Sequence, residues 1–412
     1  MIKVLHSSDW HLGKQLKKID LSEDFKLFSA WIINEIKNRE IDLLIVSGDI
    51  FDSSNPSQQA MQLYYDFLIE LRNEKPGIMI IVTGGNHDSP SVLDAPKLLL
   101  NQLNIQIFGA FKGNYKDLFF TLEKGDVKIV IAAVPYLRER DIRVAVSGES
   151  YDDKISLTRA GIEQFYKNVN QYYEAEYAGL PFILCGHLYV AGATLSESVR
   201  DIQVGNQASV STNIFGANAS YVALGHIHKP QVVDKKHIRY SGSPFALGFD
   251  EKNDEKQVIQ IDFETNISKI QSIKIPQFRS LRLFQGNFEE VKSKIDSYTS
   301  DSVLTDLAEV LIIEESYNPS LLSQFQDWLS IPKNNICIAK TKVQFIENLA
   351  GSSSVLEPGD DLHNYEPIQM FKKIIASKER NFDTEEIIST FQELMQIIEE
   401  NHSPNENTIS EN

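Results

Sequence analysis

Five short blocks carry side chains able to do metal chemistry: Ser8-Asp9-Trp10-His11, Gly48-Asp49-Ile50-Phe51-Asp52, Gly85-Asn86-His87-Asp88, Gly186-His187 and Gly225-His226-Ile227-His228. Their donors are carboxylates, imidazoles and an amide oxygen, a mixture suited to Mn²⁺ or Fe²⁺. Two such ions ~3.5–4 Å apart clamp the attacking and leaving oxygens of a phosphoryl transfer, and a carboxylate is the natural bridge between them. Thiolates are missing from the blocks, which argues against a structural zinc site. Each block alone is weak evidence. Asp-x-His triplets mostly lie in surface loops, Gly-Asp is usually a turn, Gly-Asn-His-Asp suits a tight turn, and Gly-His-x-His fits one face of a strand end. Together, in this order, they point to one site. His6 is expected to be a core or strand-face histidine and His237 an exposed one.

Each block follows an apolar run that reads as a strand: Ile2–His6, Asp42–Ser47, Ile78–Thr83, Phe182–Cys185 and Val222–Leu224. Ligands in layered α/β folds bind beyond the carboxyl ends of strands, so five such ends converge on one rim. Between the first runs lie helical patterns. Ser22 is placed to cap a helix bearing Phe25, Phe28, Ile32 and Ile36. Met61, Tyr64, Leu68 and Leu71 recur at helical spacing, and a further helix is expected from Ser91 to Asn101. Strands are expected near Leu118–Leu122, Val127–Ala133, His237–Tyr240 and Val258–Ile261, with a long helix over Ile155–Tyr177. The fold class is α/β (α+β), a mixed sheet or two-sheet sandwich flanked by helices.

Pro276 marks an expected boundary. The first domain covers residues 1–275, and a small α+β unit covers 276–348 with the order strand, helix, strand, helix, strand. Residues 349–365 have linker composition. Residues 366–400 form two amphipathic helices, with Ile368, Phe371, Ile374 and Ile375 on one and Ile387, Ile388, Phe391, Leu394, Met395 and Ile398 on the other. Such helices cannot bury their faces alone. They either pack back on the main domain or dock a partner, and the docking reading is preferred. Residues 401–412 are expected to be disordered.

The chain of 412 residues has a net charge of −17, an awkward value for a nucleic-acid binder. Part of it is local: from Asn381 to Asn412 there are eight acidic residues and no Lys or Arg. Bound divalent cations add positive charge that a sequence count omits. The balance still predicts weak DNA affinity for this chain alone. Two distant cysteines, Cys185 and Cys337, fit a reducing compartment, and no apolar run approaches a membrane span. A cytoplasmic location is expected.

The series DxH, GDxxD, GNHD, GH and GHxH resembles the signature of the calcineurin-like metallophosphoesterases. The longer stretches GDIFDSSNPS, GHLYVAGATLSESVRDIQVG, YVALGHIHKPQVV and RYSGSPFALGFDE are similar to the SbcD-type exonuclease subunits of bacteria, within the meiotic-recombination nuclease family. The match runs from Met1 to about Asp262. It implies a four-layer metallophosphoesterase sandwich with a small α+β capping domain and a C-terminal helical pair. By the resemblance, Asp9, His11 and His228 hold a first metal, Asn86, His187 and His226 a second, and Asp49 bridges them. His87 lies beside the scissile phosphate, oriented by Asp52. Phosphoprotein phosphatases follow GDxxD with Arg-Gly. Here Ser53-Ser54-Asn55-Pro56 follows Asp52, which favours a monoanionic diester, unless Arg138, Arg140 or Arg143 supplies the cation.

The resemblance further implies Mn²⁺ dependence, 3′-to-5′ exonuclease action on duplex DNA, and endonuclease action on single strands and hairpins, in repair and recombination. It implies an SbcC-type ATPase partner in a heterotetramer, docked on the C-terminal helices. No P-loop occurs in this chain. It also implies a homodimer through Gln58–Arg72 and Ser91–Asn101, where Tyr64, Tyr65 and Phe67 suit either an interface or the core. Rival readings are a nucleotide phosphodiesterase or phosphatase, and a non-catalytic scaffold for the ATPase.

Overall fold

The computed structural model describes residues 1–143, 150–194, 209–333 and 335–346, and near the C-terminus residues 368, 371, 372, 375 and 387–394. The chain divides into two compact units. One comprises Met1–Arg282, Thr299–Glu309 and Asn335–Ala339; the other comprises Leu283–Tyr298, Val310–Asn334 and the residues from Lys340 onward.

The first unit contains β1 (Ile2–Ser7), β2 (Gln15–Leu16), β3 (Ile19–Asp20), α1 (Ser22–Arg39), β4 (Leu43–Ser47), α2 (Gln58–Glu74), β5 (Met79–Thr83), α3 (Pro90–Asp94), α4 (Lys97–Asn101), β6 (Ile105–Phe108), β7 (Phe119–Lys124), β8 (Val127–Ala132), α5 (Glu139–Ile142), α6 (Tyr151–Glu176), β9 (Phe182–His187), β10 (Ala219–Gly225), β11 (Gln231–Val233), β12 (Lys235–Tyr240), β13 (Gln257–Phe263) and β14 (Ile267–Lys274). One sheet has the order β14-β13-β1-β4-β5-β6, the other β11-β12-β10-β9-β8-β7. In the first, β1, β4, β5 and β6 run parallel. In the second, β12, β10, β9 and β8 do. Every block singled out in the sequence therefore leaves the same kind of strand end.

Side-chain alternation explains why these strands read as unbroken apolar runs. In β1 and β4, Ile2, Val4, Leu43 and Ile45 join the core shared with the second sheet. Leu5, Leu44 and Val46 point the other way, into a core built with α1 and α2. A strand buried on both faces needs no polar alternation. α6 lays Phe165, Tyr166, Val169 and Tyr173 on the core of the second sheet; the Tyr173 ring stacks on Phe182 with centroids 4.4 Å apart, worth about 0.5–1.5 kcal/mol beyond burial. The layers are thus helix, sheet, sheet, helix.

Three local expectations are corrected. Ser22 is the first residue inside α1 rather than its cap; the Asp20 carboxylate accepts from Ser22 N at 2.6 Å instead. The helix expected from Ser91 to Asn101 is two five-residue helices. Pro96 sits between them and lacks the N–H a continuous helix needs. The long helix starts earlier than expected because Ser150 Oγ accepts from Asp153 N at 3.2 Å, closing a capping box.

In the C-terminal part, β15 (Leu281–Gly286), α7 (Phe288–Asp296), β16 (Asp306–Glu314), α8 (Pro319–Ser330) and β17 (Ile336–Phe345) follow the expected order, the three strands lying in the order β15-β16-β17. Phe288 packs edge-on against Phe325 and Trp328. Phe371 and Phe391 stack with centroids 3.9 Å apart, so the two C-terminal helical segments touch through their apolar faces. The expected linker 349–365, the tail 401–412, and Ile374, Met395 and Ile398 lie outside the described residues.

Candidate metal centre

Asp9 and His11 follow β1, Asp49 follows β4, Asn86 and His87 follow β5, His187 ends β9, and His226 and His228 follow β10. The structure brings all seven expected donors together. Donor atoms of Asp9, His11 and His228 lie within 4.8 Å of one another, as do those of Asp49, His187 and His226. All six residues are buried, whereas Asn86 and His87 are half-buried and form the side open to solvent.

The loops reach this geometry through unusual backbone. Asp9, His11, Asp49 and His226 have φ of 54°, 47°, 50° and 99°, a region costly for residues with a Cβ. Backbone bonds hold the turns: Asp9 N donates to Gly48 O and His11 N to Asp49 O, both at 3.0 Å. His226 N donates to Asp9 Oδ1 at 2.8 Å, tying a turn of one sheet to a candidate donor of the other. Two glycines are there because nothing larger fits. A Cβ on Gly48 (φ 86°) would overlap the His187 ring, and one on Gly85 would overlap the Asp49 carboxylate.

In the first half of the centre, His11 Nδ1 lies 3.2 Å from Asp52 Oδ1 and His228 Nδ1 lies 2.9 Å from Glu251 Oε1. Each carboxylate accepts from Nδ1 and so turns Nε2 inward; against burial, Glu251 also raises the His228 pKa. The two Nε2 atoms face each other at 3.2 Å, an arrangement that a cation between them relieves. In the second half, His187 Nδ1 donates to Ser47 O at 2.9 Å, turning Nε2 toward Asn86 Oδ1 at 3.0 Å and Asp49 Oδ2 at 3.3 Å. His226 Nδ1 lies 3.0 Å from the same Asn86 oxygen. Oxygen and nitrogen lone pairs converging on one point are a cation's donor set, and the residues fit the divalent metals expected of them.

The electrostatics agree. Burial raises the Asp49 carboxyl, but His187, His11 and His87 outweigh it and hold the pKa well below the usual range. Burial lowers His187, but Asp49 outweighs it and lifts the pKa to about 9. Without metal, a proton on His187 thus balances the Asp49 charge. Burial keeps His11 neutral despite Asp52, while Asp52, against its own burial, is held ionised near pKa 2 by His11 and Lys14. Burial and neighbouring His187 lower His226 to about 3.

Residues 2–230, more than half of the chain, match the family described as "Calcineurin-like phosphoesterase". The chain belongs to the calcineurin-like phosphoesterase family. Curated relatives of this phosphoesterase include the SbcD component of nuclease SbcCD from Escherichia coli K12, 29% identical over 303 residues, covering 72% of this chain and 74% of that one. The protein of the same name from Bacillus subtilis 168 is 31% identical over 268 residues, covering 63% of this chain and 66% of its own. That from Staphylococcus epidermidis is 29% identical over 297 residues, covering 70% and 74%.

Against the expected phosphoesterase pattern, one pairing is corrected. Asp52 does not hold His87 through its carboxylate, which is taken by His11 and by Lys14 at 3.1 Å. His87 Nδ1 donates to the Asp52 carbonyl oxygen at 2.8 Å instead. That bond still fixes the tautomer and leaves Nε2 without the proton. His87 N also donates to Asp49 Oδ1 at 2.9 Å, so the residue at the mouth is braced against the shared carboxylate. Of the three arginines, Arg143 pairs with Glu139, and Arg140 lies 3.8 Å from Asp141. Arg138 donates to Asp88 O at 2.8 Å and so reaches the GNHD loop. His6 is buried, its Nδ1 2.9 Å from Tyr221 Oη; His237 is half-buried rather than exposed.

Two residues escaped the sequence reading. Asp88 accepts from Gly85 N at 2.8 Å, Phe51 N at 2.9 Å and Ile50 N at 3.1 Å, clasping two metal loops together. Burial and repulsion from Asp49 raise its pKa to about 6. Its place in the GNHD block was a signal, but its partners are backbone atoms. Glu251, behind His228, stands at the end of the RYSGSPFALGFDE stretch, where resemblance marked the stretch but not the residue.

Proposed function

We propose that this phosphoesterase is a DNA nuclease, the nuclease component of an SbcCD-type complex, hydrolysing DNA phosphodiesters with two divalent cations, Mn²⁺ in the cell. The observation that carries the reading is the seven-donor centre beside His87 in a chain whose curated relatives are named as nuclease subunits. Asp9, His11 and His228 would hold one cation and Asn86, His187 and His226 the other, with Asp49 available to both; such ions would polarise phosphoryl oxygens and acidify water. His87, half-buried at the mouth, meets the scissile phosphate, positioning it or, once Nε2 has taken up a proton from water, giving that proton to the departing sugar oxygen. The Asp52 carbonyl and the Asp49 carboxylate keep the ring and backbone of His87 in place.

The finer reading includes 3′-to-5′ exonuclease action on duplex ends and endonuclease action on single strands and hairpins, in DNA repair and recombination, in the cytoplasm. Among the described residues no helix is long and apolar enough to cross a membrane. An SbcC-type ATPase docks on the helices that meet at Phe371 and Phe391, giving a heterotetramer and adding the DNA grip an acidic chain lacks. Two copies of the chain pair through the α2 and α3–α4 region. Of the aromatic residues considered for pairing, Tyr64 and Phe67 are core at 1% exposure and Tyr65 is half-buried, while Leu98 and Leu99, within the expected Ser91–Asn101 segment, are 85% and 70% exposed. Isolated apolar exposure is common, so Leu98→Glu with Leu99→Glu is the test, read as a monomer by light scattering.

The function itself is tested by nuclease assays in Mn²⁺ and in Mg²⁺ on blunt duplex, hairpin and single-stranded DNA, with a nucleotide monoester alongside, with and without the ATPase and ATP. Cleavage of DNA ends in Mn²⁺ is expected, stimulated by the partner. Turnover of the monoester alone rejects the nuclease reading in favour of a nucleotide phosphatase. Activity of His87→Ala at the wild-type rate rejects the role given to His87.

A further inference from the structure

We propose that Glu251 and Lys256 form a buried positioning device for His228, and that this device sets the cation affinity of the half-centre made by Asp9, His11 and His228. The proposal rests on the two-cation reading of the centre. Glu251 lies on the short turn Phe249–Glu251, far in sequence from every donor block but for the last. Its Oε1 is 2.9 Å from His228 Nδ1. Its Oε2 accepts from Lys256 Nζ at 2.7 Å and from Leu247 N at 3.2 Å. Lys256 Nζ also donates to the His228 carbonyl at 3.1 Å and to Ser243 Oγ at 2.9 Å. One acid–base pair therefore grips both the ring and the backbone of a single metal-ligand residue.

Glu251 is 1% exposed and Lys256 8%, so water does little to soften the interaction. Burying an ion pair contributes little or negatively to stability compared with apolar packing. The value of this pair lies in what it does to His228. A carboxylate on Nδ1 fixes the tautomer, aims Nε2 and raises its basicity, and such outer partners tune metal affinity. The other half-centre is built differently: His187 Nδ1 donates to the neutral Ser47 carbonyl. Glu251 should therefore act on one site and spare the other, which general loosening of the fold would not do.

The test is Mn²⁺ titration of the full chain, wild type against Glu251→Gln, by calorimetry and electron paramagnetic resonance. Wild type is expected to take up two ions and to show the broadened signal of a spin-coupled pair. Glu251→Gln is expected to keep one site and to bind the other about 10–100-fold more weakly, so that a six-line mononuclear signal persists at intermediate Mn²⁺. Glu251→Asp, with the charge retained but one methylene shorter, should fall between. Unchanged melting of the metal-free Gln variant by circular dichroism separates a tuned site from a damaged fold; if that variant does not fold, the Asp variant decides on the same criteria. Two wild-type affinities in the variant, or equal weakening of both sites, overturn the proposal. A wild type that binds fewer than two ions overturns the two-cation reading, and the proposal with it.

Discussion

The two sheet edges that meet at the metal centre contribute different chemistry. The edge of β1, β4 and β5 supplies the charge, Asp9 and Asp49, together with one imidazole, His11, and with Asn86 and the half-buried His87. The edge of β9 and β10 supplies imidazoles, His187, His226 and His228. Positive φ is found at three candidate donor residues of the first edge and one of the second. The first edge is thus mainly a set of tight, anionic turns, and the second a set of rings, of which His187 and His228 are aimed by hydrogen bonds from behind. Charge placed on strained backbone cannot drift away from its neighbours when no cation holds it. Rings can rotate, so they need the Ser47 carbonyl and the Glu251 carboxylate to stay aimed.

The sharpest way to break this contrast is Asp49→Asn. It leaves the shape of the first edge but removes the charge common to both half-centres, so activity should fall by more than the roughly 10–100-fold that loss of an outer partner costs. Calorimetry should show both Mn²⁺ affinities reduced; loss of only one would mean that Asp49 does not bridge. Next in size is His87→Ala, expected to lower kcat about 10²–10⁴-fold while Mn²⁺ binding stays as in wild type. A parallel loss of metal would make His87 a ligand rather than the residue meeting the phosphate.

Gly85→Ala tests the crowding of the anionic edge. A methyl group there must displace the Asp49 carboxylate, at a cost of about 1–3 kcal/mol in chemical denaturation, with metal binding impaired as well. Normal metal affinity in that variant would show that the turn adapts. The smallest effect on metal binding is expected from Asp88→Ala. It strips the acceptor from three backbone N–H groups, at about 1–3 kcal/mol for each one left unpaired, read as a lower melting temperature, with the rings of the second edge still able to bind Mn²⁺ once the protein is folded.

The legible part of the molecule was the part written in side-chain type and period. Strand ends and donor blocks coincided because a doubly buried strand must be apolar throughout, and the polar block after it has nowhere to go but the rim. Tyr64 stayed open in the sequence because an aromatic residue at helical spacing looks the same whether it faces the core or a partner. The pairing of Asp52 with His87 misled because the deciding atom is a carbonyl oxygen, which every residue possesses. Glu251 and Ser47 aim imidazoles from 23 and 140 positions away, and such distances leave no local pattern to read.

The bond from His226 N to Asp9 Oδ1 joins residues 217 positions apart, and β1 itself pairs with β13, Ile2 opposite Phe263. The donor set therefore closes only once these distant residues have met, and contacts of such separation form slowly.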